Sequence, residues 1–130
     1  MSSITSILMT SNIISKDCLN IIFNLLDFKS QINFRQVCRY FHEFYITDLY
    51  HISRKYKIIL NDKILQMEQF RYIKLLDAYY NKKITDAGIK GMPLHKLNAC
   101  RNPNITDTGI KGMPLHTLRA SDNPNITIKL

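Results

Sequence analysis

The side chains best suited to chemistry in this chain are few, and most recur at one interval. His95 and His116 lie 21 residues apart, as do Asp86 and Asp107. Two histidines at that interval do not make a metal site, which needs more ligands at closer spacing. A stacked surface pair is the favoured reading for the histidines, and a capping role for the two carboxylates. The Gly-Ile-Lys-Gly run that follows each Asp lacks the G-K-[ST] ending of a phosphate cradle. No nucleophile motif and no zinc quartet is present. The three cysteines, Cys18, Cys38 and Cys100, are odd in number and have no paired spacing, which argues against a disulfide scaffold and for a reducing compartment, the cytoplasm or nucleus. No enzyme, catalytic residue, metal or cofactor is therefore expected.

The interval comes from a repeat. Residues 84–104 read ITDAGIKGMPLHKLNACRNPN and residues 105–125 read ITDTGIKGMPLHTLRASDNPN, identical at 16 of 21 positions. Ile73, Leu76, Ala78 and Asn81 extend the frame backwards by one unit. A looser copy begins at Leu60-Asn61-Asp62, with Leu65 in the place of Ile89. Leu97 and Ala99 alternate, so both point to one face of a short strand. Asn102 can bond backbone groups at a turn, and Pro103 fixes the bend. Thr106 or Asp107 can cap a helical turn that Gly112 ends, with Ile110 and Met113 inward. This unit resembles the leucine-rich repeat, in the variety carrying an I-T-D-x-G-I/L segment. The resemblance implies a short α/β solenoid whose stacked units share one core.

Differences between the clean copies fall mostly on the strand. Lys96/Thr117, Asn98/Arg119, Cys100/Ser121 and Arg101/Asp122 vary while the framework repeats; Ala87/Thr108 is the fifth pair. The preceding unit places Leu75, Asp77, Tyr79 and Tyr80 in the same columns. These columns would line the concave face of a solenoid. The expected target-binding set is therefore Asp77, Tyr79, Tyr80, Lys96, Asn98, Arg101, Arg119 and Asp122, with Tyr a favoured anchor. Drift at exposed positions explains the same variation equally well.

Upstream, the apolar period changes to helical. Leu19, Ile22, Phe23 and Leu26 recur at spacings of three and four. Asp27, Lys29 and Ser30 offer a turn and a cap, and Ile32, Phe34, Val37, Cys38 and Phe41 form a second stretch. The order from Ile14 to Phe41, closing on Val37-Cys38-Arg39-Tyr40-Phe41, resembles an F-box. Asp17 takes that family's acidic position. Ile14-Ser15 stands where the family has Leu-Pro, and Pro would pre-set the helix start.

An F-box followed by leucine-rich repeats is a known family architecture. The resemblance implies a non-catalytic substrate receptor of a cullin–RING (SCF-type) ubiquitin ligase. Its F-box would dock on the small acidic adaptor through Ile14, Ser15, Asp17, Leu19, Ile22, Leu26, Ile32, Phe34 and Val37. Its repeats would hold an unknown target protein, raising effective concentration. Two alternatives stay open: a decoy that occupies the adaptor and recruits nothing, and a repeat-based binding protein whose helices are only a cap.

The expected fold class is α+β, a small all-helical F-box followed by a short α/β leucine-rich-repeat solenoid. The expected divisions are a flexible N-terminus over 1–12, the F-box over 13–50 and the solenoid over 51–130. Ile46 to Ser53 is read as continuing helix, and Tyr56-Lys57-Ile58-Ile59 as the first strand. No Gly/Pro/Ser-rich linker intervenes, so the halves are expected to pack. The strand edge at 115–122 would need a cover, a partner or more chain.

Lys plus Arg is 18 against 10 acidic residues, a net charge of +8 in 130 residues. That excess is spread over both halves. A solvated surface attractive to an acidic protein partner is favoured over nucleic-acid binding. Apolar runs of a few residues are far short of the ~20 needed for a membrane helix. Ile, Asn, Lys and Tyr make up 49 residues, a bias that suits the AT-rich genome of a protist or a large DNA virus, whose protein would then act in the host cell.

Overall fold

The structure, a computed structural model, describes residues 16–37 and 45–130. The architecture is α+β and divides into two units, Met1–Ile46 and Thr47–Leu130. Ile14, Ser15 and the Cys38 to Phe41 end of the closing motif lie outside the described residues. So do the side chains of Asp17, Leu19, Phe34 and Val37.

The first unit contains two helices, α1 (Lys16–Leu25) and α2 (Phe28–Val37). Asp27 separates them. Its Oδ1 accepts the Ser30 amide at 2.8 Å, so a first-turn donor of α2 that has no partner within the helix is satisfied. The Gln31 side chain donates to the Phe23 carbonyl at 3.0 Å and ties one helix to the other. Phe23 is fully buried. The amphipathic spacing of the sequence thus yields a helical pair with an internal anchor.

The second unit is a parallel sheet in the order β1-β2-β3-β4, formed by Asp48–Leu49, Leu75–Asp77, Lys96–Asn98 and Thr117–Arg119. Leu49, Leu76, Leu97 and Leu118 are in register. Short helical turns join the strands: α3 (Arg54–Lys57), α4 (Asp62–Leu65), α5 (Asp86–Ile89) and α6 (Asp107–Ile110), with a 3₁₀ turn at Glu68–Phe70. Successive turns α4, α5 and α6 stack on one another as the strands do. Leu76, Ala78, Leu97, Ala99, Ile84, Ile105 and Ile89 are buried between the two columns, and Met113 is half-buried.

One correction concerns the first strand. Tyr56 and Lys57 lie in α3, and β1 is Asp48–Leu49, within the stretch read as helix. Leu49 fills the leucine column and is fully buried, whereas Ile58 and Ile59 stay exposed. Register in a shared core outweighs local β propensity.

Two polar ladders hold the stack. The Asn102 side-chain amide donates to the carbonyls of Ala78, Asn81 and Ile84 at 3.2, 2.8 and 3.1 Å. Asn123 repeats the pattern on Ala99, Asn102 and Ile105, and Asn81 reaches Lys57 and Leu60. Turn carbonyls buried away from water need such donors. In the second ladder, Asp62, Asp86 and Asp107 each accept the amide and the hydroxyl of a Thr in the next unit: Thr85, Thr106 and Thr127. The Thr85 hydroxyl, while donating to Asp62, also accepts the Ala87 amide and caps α5, whereas Thr106 at the start of α6 has no side-chain capping bond. A methyl group added at Gly88 or Gly109 would fall inside the carboxyl group of Asp62 or Asp86. The D-x-G spacing is thus a packing requirement between neighbouring units.

Candidate functional site

With the leucines turned inward, the alternate strand positions carry the outward face. Its centre is Tyr50, immediately after β1. Lys96 Nζ stands 4.0 Å from the Tyr50 ring centroid and Lys57 Nζ 5.7 Å from it. Both distances allow cation–π attraction. The Tyr50 side chain, first among its neighbours, holds the Arg119 guanidinium charged beyond its ordinary range. Two lysines from different segments converge on one ring, and Arg119 stands on the neighbouring strand of the same face.

The carboxylates nearby are already committed. Asp77 Oδ2 accepts Lys57 Nζ at 2.7 Å, and Oδ1 accepts the Tyr79 amide at 3.0 Å. Asp122 pairs with Arg101 at 3.1 Å. At the edge, Arg54 lies 6.0 Å over the Tyr79 ring, and Tyr79 and Tyr80 are tilted neighbours 6.2 Å apart. These two tyrosines, with Arg54, Lys57, Asp77 and Lys82, line a shallow pocket of about 190 Å³.

Backbone conformation adds to the picture. Tyr80, Arg101 and Asp122 occupy the same position in successive units, all with φ between 54° and 56°. Gly or Asn takes this left-handed conformation at least cost. Tyr and Arg are held there by the surrounding turn, with their side chains directed outward and exposed.

Of the eight positions expected to face a target, Asp77, Tyr79, Tyr80, Lys96, Arg101, Arg119 and Asp122 are exposed or half-buried on this surface. Asn98 is the exception. It is buried, and its Oδ1 accepts the Cys100 amide at 3.1 Å, so it closes the turn after β3. Sequence reasoning missed Tyr50, Lys57 and Arg54. Their signal was Ile46-Thr47-Asp48-Leu49, which echoes Ile73-Lys74-Leu75-Leu76 at a spacing of 27 residues rather than 21.

His95 and His116 meet edge to face with ring centroids 5.2 Å apart. Among the described residues, no group of three or more His, Cys, Asp or Glu side chains is placed to hold a metal ion. No helix among them is long and apolar enough to cross a membrane.

The helical unit offers a different surface. On α1, Ile21, Ile22 and Leu25 are 60%, 42% and 81% exposed, while Leu26 and Ile32 are half-buried. Ile22 belongs to the expected adaptor set. Ile21 and Leu25 do not, and helix spacing alone did not separate the inward side from the outward one.

Comparison with known families assigns this region. Residues 13–44 match the F-box domain family. The match supports an F-box protein, and F-box domains typically bind the adaptors of SCF-type ubiquitin ligases. No curated protein and no solved structure matches the chain.

Proposed function

We propose that this protein is a non-catalytic substrate receptor of an SCF-type ubiquitin ligase. Its F-box docks on the acidic adaptor, and its leucine-rich repeats hold a target on the outward sheet face. The observation that carries the reading is the F-box match at residues 13–44. Support comes from the uncovered apolar side of α1 at Ile21, Ile22 and Leu25. Aliphatic residues left in water on a helix are the ordinary material of a docking surface. The adaptor set on this reading is Ile14, Ser15, Asp17, Leu19, Ile22, Leu26, Ile32, Phe34 and Val37, extended by Ile21 and Leu25. The protein would act by proximity in the cytoplasm or nucleus, with no chemistry of its own.

The test is direct binding of the full chain to the adaptor, compared with Leu25→Asp and Leu19→Asp. Leu25 is largely in water already, so its replacement should leave the fold intact. A hot-spot loss of about 2 kcal/mol or more in affinity is expected. No adaptor binding, or equal binding by both variants, would refute the reading. Adaptor binding without any target dependent on Lys96 and Arg119 would instead favour the decoy.

A further inference from the structure

The outward sheet face treats its cations unequally. Lys57 is matched by Asp77, and Arg101 by Asp122. Neither Lys96 nor Arg119 has a carboxylate within ion-pair distance among the described residues; Asp77 acts on Arg119 only as a minor, unbonded charge. Lys96 lies over the Tyr50 ring instead, and Arg119 stands on the next strand on the same outward face.

That difference matters to an anion. A cation already paired with a carboxylate must surrender that partner before it can take another. A cation resting on an aromatic ring keeps its charge available, and its side chain is already ordered. Lys96 and Arg119 sit on adjacent strands, two residues apart in register, so their backbones are separated by about 8 Å. That is close to the repeat of alternate side chains along an extended chain.

We infer that the outward sheet face binds an extended acidic peptide segment, with anionic side chains received by Lys96 and Arg119 around Tyr50. The segment would run beside Tyr79 and Tyr80, whose exposed rings offer apolar contact at the face's edge. A nucleic acid suits the face less well. Stacking a run of bases needs open aromatic faces, and Lys96 already lies against the central Tyr50 ring, which leaves only Tyr79 and Tyr80 at the edge. This inference gives the target class for the receptor function proposed above, but the site itself does not depend on the adaptor.

The experiment uses the full chain and a fluorescein-labelled poly-Glu peptide, read by anisotropy. The peptide should bind, its poly-Gln counterpart should not, and affinity should fall with added salt. Lys96→Ala with Arg119→Ala should weaken binding at least about tenfold, the scale of lost charge pairs. Lys90→Ala with Lys111→Ala removes the same charge from the exposed ends of α5 and α6 and should change binding less than about twofold, as expected of distant surface charges. Arg119→Ala alone, on an exposed side chain, keeps the test readable if the double variant folds poorly.

A phosphoserine peptide that binds more tightly than poly-Glu, with the same loss in the variant, supports the site and assigns the anion to phosphate. Equal losses in the face and control variants overturn the inference, as does equal binding of poly-Gln. Tighter binding of oligo-uridine RNA through the same residues also overturns it. Saturating adaptor separates the two proposals. If it displaces the peptide, the face belongs to the adaptor and the inference fails. If the adaptor never binds while poly-Glu does, the receptor function fails and the acidic-segment site stands.

Discussion

The two units solve the same burial problem in opposite ways. The helical pair keeps Phe23 inside and leaves Ile21, Ile22 and Leu25 in water. The parallel stack buries its leucine column and shows water a face of charges and tyrosines. In the stack, framework and outward face occupy alternate positions of the same strand, so one can change without the other. In the helical pair, apolar side chains make both the interior and the exposed side, so the two roles are entangled. Surface mutations should therefore affect function alone in the stack's outward columns, and framework mutations should affect stability most.

The largest contrast is expected between Asn102 and Leu25. Asn102→Leu takes a donor from three carbonyls in a buried site, leaves that of Ile84 unpaired while those of Ala78 and Asn81 keep one backbone amide each, and removes the acceptor of the Asn104 amide. A loss of about 3 kcal/mol or more should follow, measured as a lower denaturant midpoint. Leu25→Ala, on a side chain already in water, should stay within about 0.5 kcal/mol. Similar losses at both sites would break the comparison.

Next is the contact between units. Gly109→Ala should destabilise by about 1–3 kcal/mol through overpacking, because the Asp86 carboxyl it strikes is held by Thr106. In an Asp86→Ala background the two nearest carboxyl atoms are gone and only Cβ of residue 86, at 2.8 Å, remains in the way, so the same substitution should cost less. The thermodynamic cycle is the measurement, and strict additivity would show that the glycine has another role.

How far the sequence reveals all this differs between the units. The 21-residue period exposed Leu76, Leu97 and Leu118, the Asn ladder and most of the outward columns, because each position is read in several copies. Asn98 keeps its column, paired with Asp77 and Arg119, but its burial was not legible, because Asn suits both an exposed strand position and a buried turn-closing side chain. Tyr50 was missed because longer connections precede β2, which hid the first strand behind a stretch with stronger local β propensity. In α1 nothing repeats. Apolar residues at Ile21, Ile22, Phe23 and Leu25, with Leu26 just beyond its end, spread over about half of the helix circumference, so period alone could not say which part of that side is covered.

A smaller effect of opposite sign separates the outward columns from the framework. Tyr80 stands at φ 54° with its ring 59% exposed. Tyr80→Gly relieves that strain and should raise stability by about 0.5–1 kcal/mol, while acidic-peptide binding weakens. A stability gain with unchanged binding would remove Tyr80 from the binding face.

The smallest expected effect is acid sensitivity, and here the two units should behave alike. Asp107 is held below its ordinary range first by the Thr127 hydroxyl, then by the Thr127 amide, with slight burial opposing. Asp27 is held low first by the Ser30 amide. A depressed folded pKa means that the unfolded chain binds the proton more readily. Both carboxylates therefore contribute fully above the unfolded value of about 4, and their contribution is lost as pH falls through the lower folded values. Stability attributable to them should be flat from neutrality to pH ~5 and decline only below ~4. Carboxyl NMR titration would place both groups under the ordinary aspartate midpoint. Asp107→Asn should flatten the acid limb of the stack's denaturation midpoint, and Asp27→Asn should leave that limb unchanged. If Asp27→Asn changes the stack's limb as much as Asp107→Asn does, the two units unfold as one, and their division into separately stabilised parts is wrong.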